Sequence, residues 1–261
     1  MTTKKDELAL VEQETAVTQA PRTTGRGFEN VDLETITMPR GKLLQSNSPE
    51  VADRDYNMRA GDIIHTLLME KVPEKFIPLS IFDTNIMFVP RTEERKAAMK
   101  AKLGLSDEDM AGQIVCRADD GKHGTRYGSC VECGLCKFNG NEKPWCNATI
   151  NVLADPVNED KLDMPVVYQF ANTSYKHGKK FRDTAFYASL GQDLFSRIYK
   201  LESFLAQAAG NSWFEMRVKP AGLVSSELYP AVEAQYNAFA NKNIIVDAEE
   251  DAPITSDKPS Y

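Results

Sequence analysis

Five cysteines are the residues with the clearest chemical potential, and all of them lie in one segment. Their spacing is Cys116-x13-Cys130-x2-Cys133-x2-Cys136-x9-Cys146 in a chain of 261 residues. A disulfide framework distributes its cysteines through a small secreted domain. Thiols clustered in one part of a longer chain predict a metal site instead.

The residues that follow the cysteines favour one choice of ligands. Gly134 follows the first Cys-x-x-Cys pair, and glycine suits a zinc knuckle because the turn needs a residue without a Cβ. Lys137 follows the next cysteine. No open coordination position or adjacent general base is evident, so the zinc is predicted to be structural. The predicted Zn²⁺ ligands are Cys116, Cys130, Cys133 and Cys146, with Cys136 as the spare thiol.

Two alternatives to this zinc site stay open. His123 could replace Cys116 as a ligand. Cys130-x2-Cys133-x2-Cys136 also resembles half of a ferredoxin-type sequence, which would indicate an iron–sulfur cluster, although no proline follows the last cysteine.

Aromatic and basic residues alternate in the segment YQFANTSYKHGKKFRD, again near residues 213–219, and within the cysteine segment. A single strand of nucleic acid presents bases for stacking and phosphates for neutralisation, so this mixture suits it. The simpler interpretation is that the rings belong to the core and that the lysines near Gly178 lie in a solvated loop. The predicted DNA-binding residues are Arg126, Tyr127, Phe170, Tyr175, Lys176, Lys179, Lys180, Phe181, Arg182, Trp213, Phe214, Arg217 and Lys219.

The net charge of −7, from 31 Lys and Arg against 38 Asp and Glu, argues against a simple basic nucleic-acid binder. The charges are unevenly placed, however. Residues 243–261 carry five acids and one lysine, whereas residues 165–219 carry eight bases and four acids. An acidic tail beyond a basic body is predicted to compete for the basic groove when no DNA is bound. Its acids include Asp247, Glu249, Glu250 and Asp251.

Several classes of protein are excluded by the sequence pattern. No apolar run approaches the ~20 residues of a membrane-spanning helix, and residues 1–7 lack the apolar stretch of a signal peptide, so a soluble intracellular protein is expected. The three histidines, His65, His123 and His177, have no partner at the spacing of a catalytic triad or a metalloprotease. Walker, dinucleotide-binding and nucleophile-elbow motifs are absent, so enzymatic activity is not predicted.

Hydrophobic patterning predicts a β-rich α+β fold in which a compact sheet carries a few peripheral helices. Strands are predicted at 77–89, 112–117, 149–154, 166–171 and 213–219. Helices are predicted at 93–103, at 193–209, and around Leu228, Val232, Tyr236 and Phe239. Residues 1–27 are predicted to be a disordered arm.

Together these segments resemble phage-encoded single-stranded DNA-binding proteins that carry a zinc loop in an oligonucleotide-binding (OB-type) β-barrel. The resemblance rests on MPRGKLLQSNSPEV, the cluster C-x13-C-x2-C-x12-C, TSYKHGKKF, FSRIYKL followed by WFEMRVKP, and the acidic end. It implies an OB-like core over 28–242, an acidic tail over 243–261, and coating of single strands in DNA replication and recombination. It also implies a location in the cytoplasm of an infected bacterium and recruitment of replication or recombination proteins by the acidic tail, through Asp247, Glu249, Glu250 and Asp251.

Two features depart from that family pattern. Cys136 is a fifth cysteine, and the chain printed here ends Lys258-Pro259-Ser260-Tyr261 instead of in acids closing on phenylalanine. Two other functions are therefore kept as hypotheses. One is a zinc-stabilised structural or adaptor protein of a phage replication or virion assembly, and the other is an iron–sulfur DNA-processing enzyme.

Overall fold

The computed structural model describes residues 37–53, 57–137, 139–140, 142–159, 161–208, 210–240 and 244–246. The arm predicted at 1–27 and the acidic residues Asp247, Glu249, Glu250 and Asp251 lie outside them. In chain order, the strands are β1 (Thr37–Met38), β2 (Arg40–Leu43), β3 (Ile63–His65), β4 (Glu70–Lys71), β5 (Lys75–Phe88), β6 (Ile114–Ala118), β7 (His123–Gly124), β8 (Gly128–Ser129), β9 (Asn147–Asn158), β10 (Lys161–Leu162), β11 (Val166–Ala171), β12 (Arg197–Ala208), β13 (Asn211–Leu223) and β14 (Ile245–Val246). The helices are α1 (Pro49–Ala52), α2 (Glu93–Leu103), α3 (Cys130–Cys133), α4 (Tyr175–Ala188) and α5 (Tyr229–Phe239).

One large sheet organises these elements, and its strands follow the order β13-β12-β5-β9-β11-β2-β3-β4. β6 pairs with β5, and β10 pairs with β9, off this path. The prediction of a strand-rich α+β fold is confirmed. The closed OB-like barrel is not confirmed, because within the described residues the hydrogen-bonded path ends at β13 on one side and at β4 on the other.

The two long central strands carry apolar residues on both faces, because helices cover both sides of the sheet. On β9, Ile150, Val152 and Ala154 point to the face beneath α4, where they pack in one core with Phe181 and Ala185. Residues on opposite faces of a strand alternate, so each strand supplies two separate cores.

The opposite face of the sheet forms the second core. Leu153 and Val157 of β9 pack there with Val232 of α5. The predicted helix around Leu228 and Phe239 is therefore confirmed, with a proline in its first turn, where its missing N–H costs nothing.

Helix α2 also agrees with the sequence prediction at both ends. Thr92 caps it by accepting a hydrogen bond from the Arg95 amide at 3.4 Å. Gly104 ends it in the left-handed conformation at φ 64°. The helix places Met99 in a third core, beside the cysteines.

The helix predicted at 193–209 is wrong. β12 runs through most of it and pairs antiparallel with β13. Tyr199 and Leu201 are buried on the same face, which is a period of two that the helical spacing of the leucines concealed. Gly210, expected to end a helix, instead occupies the turn between the two strands at φ 81°.

The lysine-rich segment around Gly178 is part of α4, although a loop was the simpler expectation from the sequence. Gly178 is buried where the helix crosses the sheet, and a Cβ on it would lie 2.5 Å from the Cβ of Phe170. A residue without a side chain is needed for this close approach. The helix therefore lies tightly on the sheet and displays Lys179 and Lys180 outward.

No helix in the described part of the chain has the length and apolar character needed to span a membrane.

A buried carboxyl in β9 makes the stability of the fold dependent on pH. Asp155 is 0% exposed, and neither of its oxygens has a hydrogen-bond partner among the described residues. Desolvation raises the pKa of Asp155 from 3.8 to about 7. The folded state thus favours the protonated form of Asp155, so the contribution of this group to the stability is fully present below pH ~4 and is lost as the pH rises towards ~7.

We expect the free energy of unfolding of the wild-type protein to fall between pH 5 and pH 8, whereas Asp155→Asn removes this part of the decline. Between these two pH values the upper limit of the effect is about 3 kcal/mol, because only the two pH units from 5 to the folded pKa of about 7 contribute. Urea unfolding at the two pH values measures it, with the exposed Glu227→Gln as the control. An equal pH dependence in the wild type and in Asp155→Asn would contradict the prediction.

Candidate nucleic-acid interface and cysteine cluster

A groove with a cavity volume of about 390 Å³ opens on the side of the sheet where β2, the end of β5, the start of β9 and the middle of β13 meet. Its lining includes Arg40, Lys42, Phe88, Arg91 and Phe214. The remaining lining is largely polar and comes from the segment after β2, the start of β9, the end of β11 and the turn before α4.

Among the described residues, three cationic side chains and no carboxylate line the groove. Lys42 pairs at 2.6 Å with Glu50, and Arg40 is 3% exposed and donates a hydrogen bond to Gln169 Oε1 at 3.1 Å. Arg91 is exposed and forms no ion pair with any residue that the structure describes. The groove therefore offers an available cation beside two aromatic rings.

Side chains connect the two ends of the sheet where the strand ladder does not. Gln45 Nε2 donates to the Phe214 carbonyl oxygen at 2.9 Å, and the Phe214 amide donates to Gln45 Oε1 at 2.8 Å. One amide side chain thus makes the pair of bonds that a neighbouring strand would make. Ser203 Oγ donates to the Gly61 carbonyl at 2.5 Å, and the Phe214 ring lies directly on Gly61.

The aromatic residues predicted to bind DNA have different positions. Phe170 and Phe181 lie in the core beneath α4, at 0% and 3% exposure, so they are unable to stack on a base. Tyr175 packs against the same core and is partly buried. Trp213 and Phe214 are both partly exposed, and Phe214 reaches the groove. The prediction is thus wrong for Phe170 and Phe181, whose alternation along the chain reflects packing.

Near the start of α4, a buried carboxylate pairs with one of the cations predicted to bind DNA. Glu215 is 1% exposed and accepts hydrogen bonds from Trp213 Nε1 at 2.8 Å and from His177 Nε2 at 2.9 Å. Lys176 Nζ lies 3.1 Å from the same carboxylate. Burial raises the pKa of Glu215, but these hydrogen bonds outweigh it, and the net effect is a lowered pKa. The group thus fastens β13 to α4.

Most of the other predicted cations are also paired. Arg182 forms two hydrogen bonds with Asp83, at 3.0 and 2.9 Å. Arg217 and Lys219 share Glu202, at 3.0 and 2.7 Å.

Within the cysteine segment, Arg126 binds Asp109 at 2.6 Å and lies over the Tyr127 ring. Only Lys179 and Lys180 of the predicted cations are exposed without an ion pair to a described residue.

The cysteine cluster lies at one end of the sheet, next to α2. Cys116 and Cys146 are buried and Cys136 is partly buried in the core that contains Met87. The interaction between the Cys136 and Cys146 thiols lowers the pKa of Cys136 and raises that of Cys146.

The route by which Cys116 and Cys146 approach each other differs from the expectation. The strands near them do not pair directly, because β5 lies between: β6 pairs with one edge of β5 and β9 with the other. All five cysteines are free thiols.

The cysteines are consistent in chemistry with a soft metal ion but are not arranged around one. Five thiols in one cluster form the donor set that Zn²⁺ or iron prefers. Among the described residues, however, no three His, Cys, Asp or Glu side chains are placed to hold an ion together. Binding therefore requires the sulfur atoms to draw closer.

Sequence reasoning missed the residues that build the groove. Arg40 and Lys42 are two apart on β2, so their alternation on a strand was a signal for a shared face. Arg91 follows Pro90 at the end of β5 and had no pattern that set it apart. Nothing in the sequence indicated that Gln45 reaches Phe214, 169 residues away.

Residues 4–244 match the sequence family described as Pam3 phage gp34-like protein. No curated protein matches the chain. No solved structure matches it either.

The contact between Gln45 and Phe214 is expected to stabilise the protein. Gln45→Ala removes both hydrogen bonds to the main chain of Phe214, and we expect it to lower the free energy of unfolding by about 1–3 kcal/mol. Gln207→Ala, at an exposed glutamine of the same sheet, is the control and is expected to change it by less than about 0.5 kcal/mol. Urea unfolding measures both variants. Equal free energies of unfolding in Gln45→Ala and Gln207→Ala would contradict a role for Gln45 in holding β13 next to the chain after β2.

Proposed function

We propose that this chain, which belongs to the Pam3 phage gp34-like protein family, binds single-stranded DNA without sequence preference in phage DNA replication and recombination. The protein acts in the cytoplasm of the infected bacterium and is not an enzyme. The observation that carries the proposal is the groove, because the exposed Arg91 lies there beside two aromatic rings, and no carboxylate of the described residues lines it.

The chemistry of a single strand matches that lining. A phosphate can bind the exposed Arg91 and release counterions, whereas Arg40 is 3% exposed and Lys42 is paired with Glu50. Bases have apolar faces that stack on rings such as Phe88 and Phe214 whatever the sequence. A duplex keeps its bases stacked inside, so it offers these rings nothing, and the groove should prefer single strands.

An OB-like arrangement is part of the proposal. The mostly antiparallel sheet curls until Gln45 near one end contacts Phe214 of β13 at the other, so side chains supply the last joint of a barrel that strand pairing leaves open. OB-folds bind oligonucleotides on one face of such a sheet and between its loops. The groove lies beside this joint, where the chain approaches itself from both ends of the sheet.

Three further elements complete the proposed function. Lys179 and Lys180 on α4 extend the cationic surface beyond the groove. The cysteine cluster holds a structural Zn²⁺, which supplies cross-links that replace a large core for the segment between β6 and β9. The acidic residues recruit replication or recombination proteins; they are Asp247, Glu249, Glu250 and Asp251.

Arg91→Ala is expected to weaken binding of oligo-dT several-fold. It is also expected to reduce the slope of log K against the logarithm of the salt concentration by about one, because one phosphate contact is lost. The matched control is Lys161→Ala, which removes one positive charge at β10, beside the opposite end of β9. At about 3.3 Å per residue, that end lies about 36 Å from the groove. Fluorescence titration of labelled oligo-dT at several salt concentrations measures both variants.

Several results would contradict the proposal. No binding of oligo-dT, equal binding of duplex DNA, or equal losses in Arg91→Ala and Lys161→Ala would each do so. A protein partner that is captured after nuclease treatment by a chain with no affinity for oligonucleotides would favour the adaptor function instead.

A further inference from the structure

Two aromatic rings are exposed near the end of α4. Phe186 and Tyr187 are 64% and 71% exposed, and Leu190, just beyond the helix, is 64% exposed. The two ring centroids lie 5.5 Å apart in an edge-on arrangement. Single exposed apolar residues are common on protein surfaces, but several of them in one place indicate a binding surface.

Exposed lysines lie on the same face of α4 as these rings. Lys179 and Phe186 are seven residues apart, and so are Lys180 and Tyr187. Seven residues are close to two helical turns, so each ring follows a lysine along the outward side of the helix. Neither lysine forms an ion pair with a residue that the structure describes. The outward face therefore combines unpaired cations with exposed rings.

Packing on the other side of α4 fixes this orientation. Gly178, Phe181 and Ala185 are its buried residues, and the last two lie in the core beneath the helix. A rotation that brought the rings inwards would expose this core. The rings at the end of α4 thus stay available to a ligand.

The groove leads directly onto α4. Its lining includes residues 172–174, which come just before Tyr175, the first residue of the helix. Ser174 Oγ accepts a hydrogen bond from the Met216 amide at 3.2 Å, which fastens this turn to β13. At 1.5 Å per residue, Phe186 lies about 18 Å along the helix from Ser174.

Another ring lies between the groove and the end of the helix. Trp213 is partly exposed, and its Nε1 donates to Glu215, which also binds His177 in the first turn of α4. Its neighbour in the chain, Phe214, lines the groove. Rings are therefore present in the groove, at the start of α4 and at its end.

The chemistry of this face favours a nucleic acid as the ligand. Asp183 is the carboxylate among the described residues of the outward face, and Arg182 Nε lies 4.0 Å from it. The two unpaired lysines leave the face positive. A single strand carries phosphates and flat bases in alternation, so it matches a line of cations and rings.

We propose that single-stranded DNA continues from the groove along the outward face of α4, with phosphates at Lys179 and Lys180 and bases stacked on Phe186 and Tyr187. This inference rests on the proposed function and adds a second binding surface to it. A long oligonucleotide reaches the rings of α4, whereas one confined to the groove does not.

The test uses the full chain with two labelled oligo-dT ligands, of about 5 and about 16 nucleotides, which cover the range of site sizes of one OB-fold. The variant Phe186→Leu with Tyr187→Leu removes both rings but keeps apolar side chains of good helix propensity. We expect it to bind the long ligand about 5- to 100-fold more weakly than the wild type, because base stacking is lost. Its affinity for the short ligand should be unchanged. Tyr187→Phe keeps the ring and is the matched control, expected to bind both ligands like the wild type.

A second variant tests the charges and decides the matter if the leucine variant folds poorly. Lys179→Ala with Lys180→Ala removes two phosphate contacts. We expect the slope of log K against the logarithm of the salt concentration to fall by about 1.4 with the long ligand, at about 0.7 per contact on a single strand. The slope with the short ligand should not change. The thermal midpoint of each variant shows that it is folded.

Equal affinity of the wild type and the leucine variant for the long ligand would overturn the proposal and would favour a protein partner for the rings. Equal losses with the short and the long ligand would overturn it too, because the rings would then not lie beyond the groove. Failure of the proposed function gives a different result, since the wild type itself would bind neither ligand. If Arg91→Ala weakens binding of both ligands and the α4 variants weaken neither, the groove remains the binding site and only the path along α4 is wrong.

Discussion

The antiparallel ladder between β5 and β9 is the constraint on which the rest of the structure depends. It runs from the pair Lys75–Val157 to the pair Ile86–Asn147 and is the longest contact of the central strands. Its two faces form the two cores beneath α4 and α5. One end of the ladder borders the groove and also carries the cysteine segment, so the two candidate sites are positioned by the same strands.

Some cations of this protein are paired within the fold, and others are free to bind a ligand. Carboxylates neutralise most of the cations that the sequence clusters near α4 and β13, and the buried Glu215 fastens these two elements. Positive charge remains available at Arg91 beside the groove and at Lys179 and Lys180 on α4. A basic segment in a sequence therefore says little about binding until the ion pairs within the fold are known.

Local sequence patterns predicted many of the helices and strands but few of the residues that line the groove. Capping by Thr92 and Gly104 located α2, alternation located β11 and part of β13, and apolar runs located most of β5 and half of β9. Those signals are encoded within a few residues, so they can be recognised without knowledge of the rest of the fold. The helix prediction at 193–209 was wrong because the spacing of the leucines suits a helix. Pairing with β13 makes the segment a strand, and no local pattern reveals that pairing.

The sequence alone determined that the protein is a strand-rich α+β structure and that its thiols form one cluster, because composition and spacing are properties of the chain itself. Only the tertiary structure decided which residues are accessible and which lie together. It buried Phe170 and Phe181, brought Gln45 to Phe214 across 169 residues, and placed β5 between β6 and β9. Those outcomes follow from strand order and register, which are set by packing over long sequence distances.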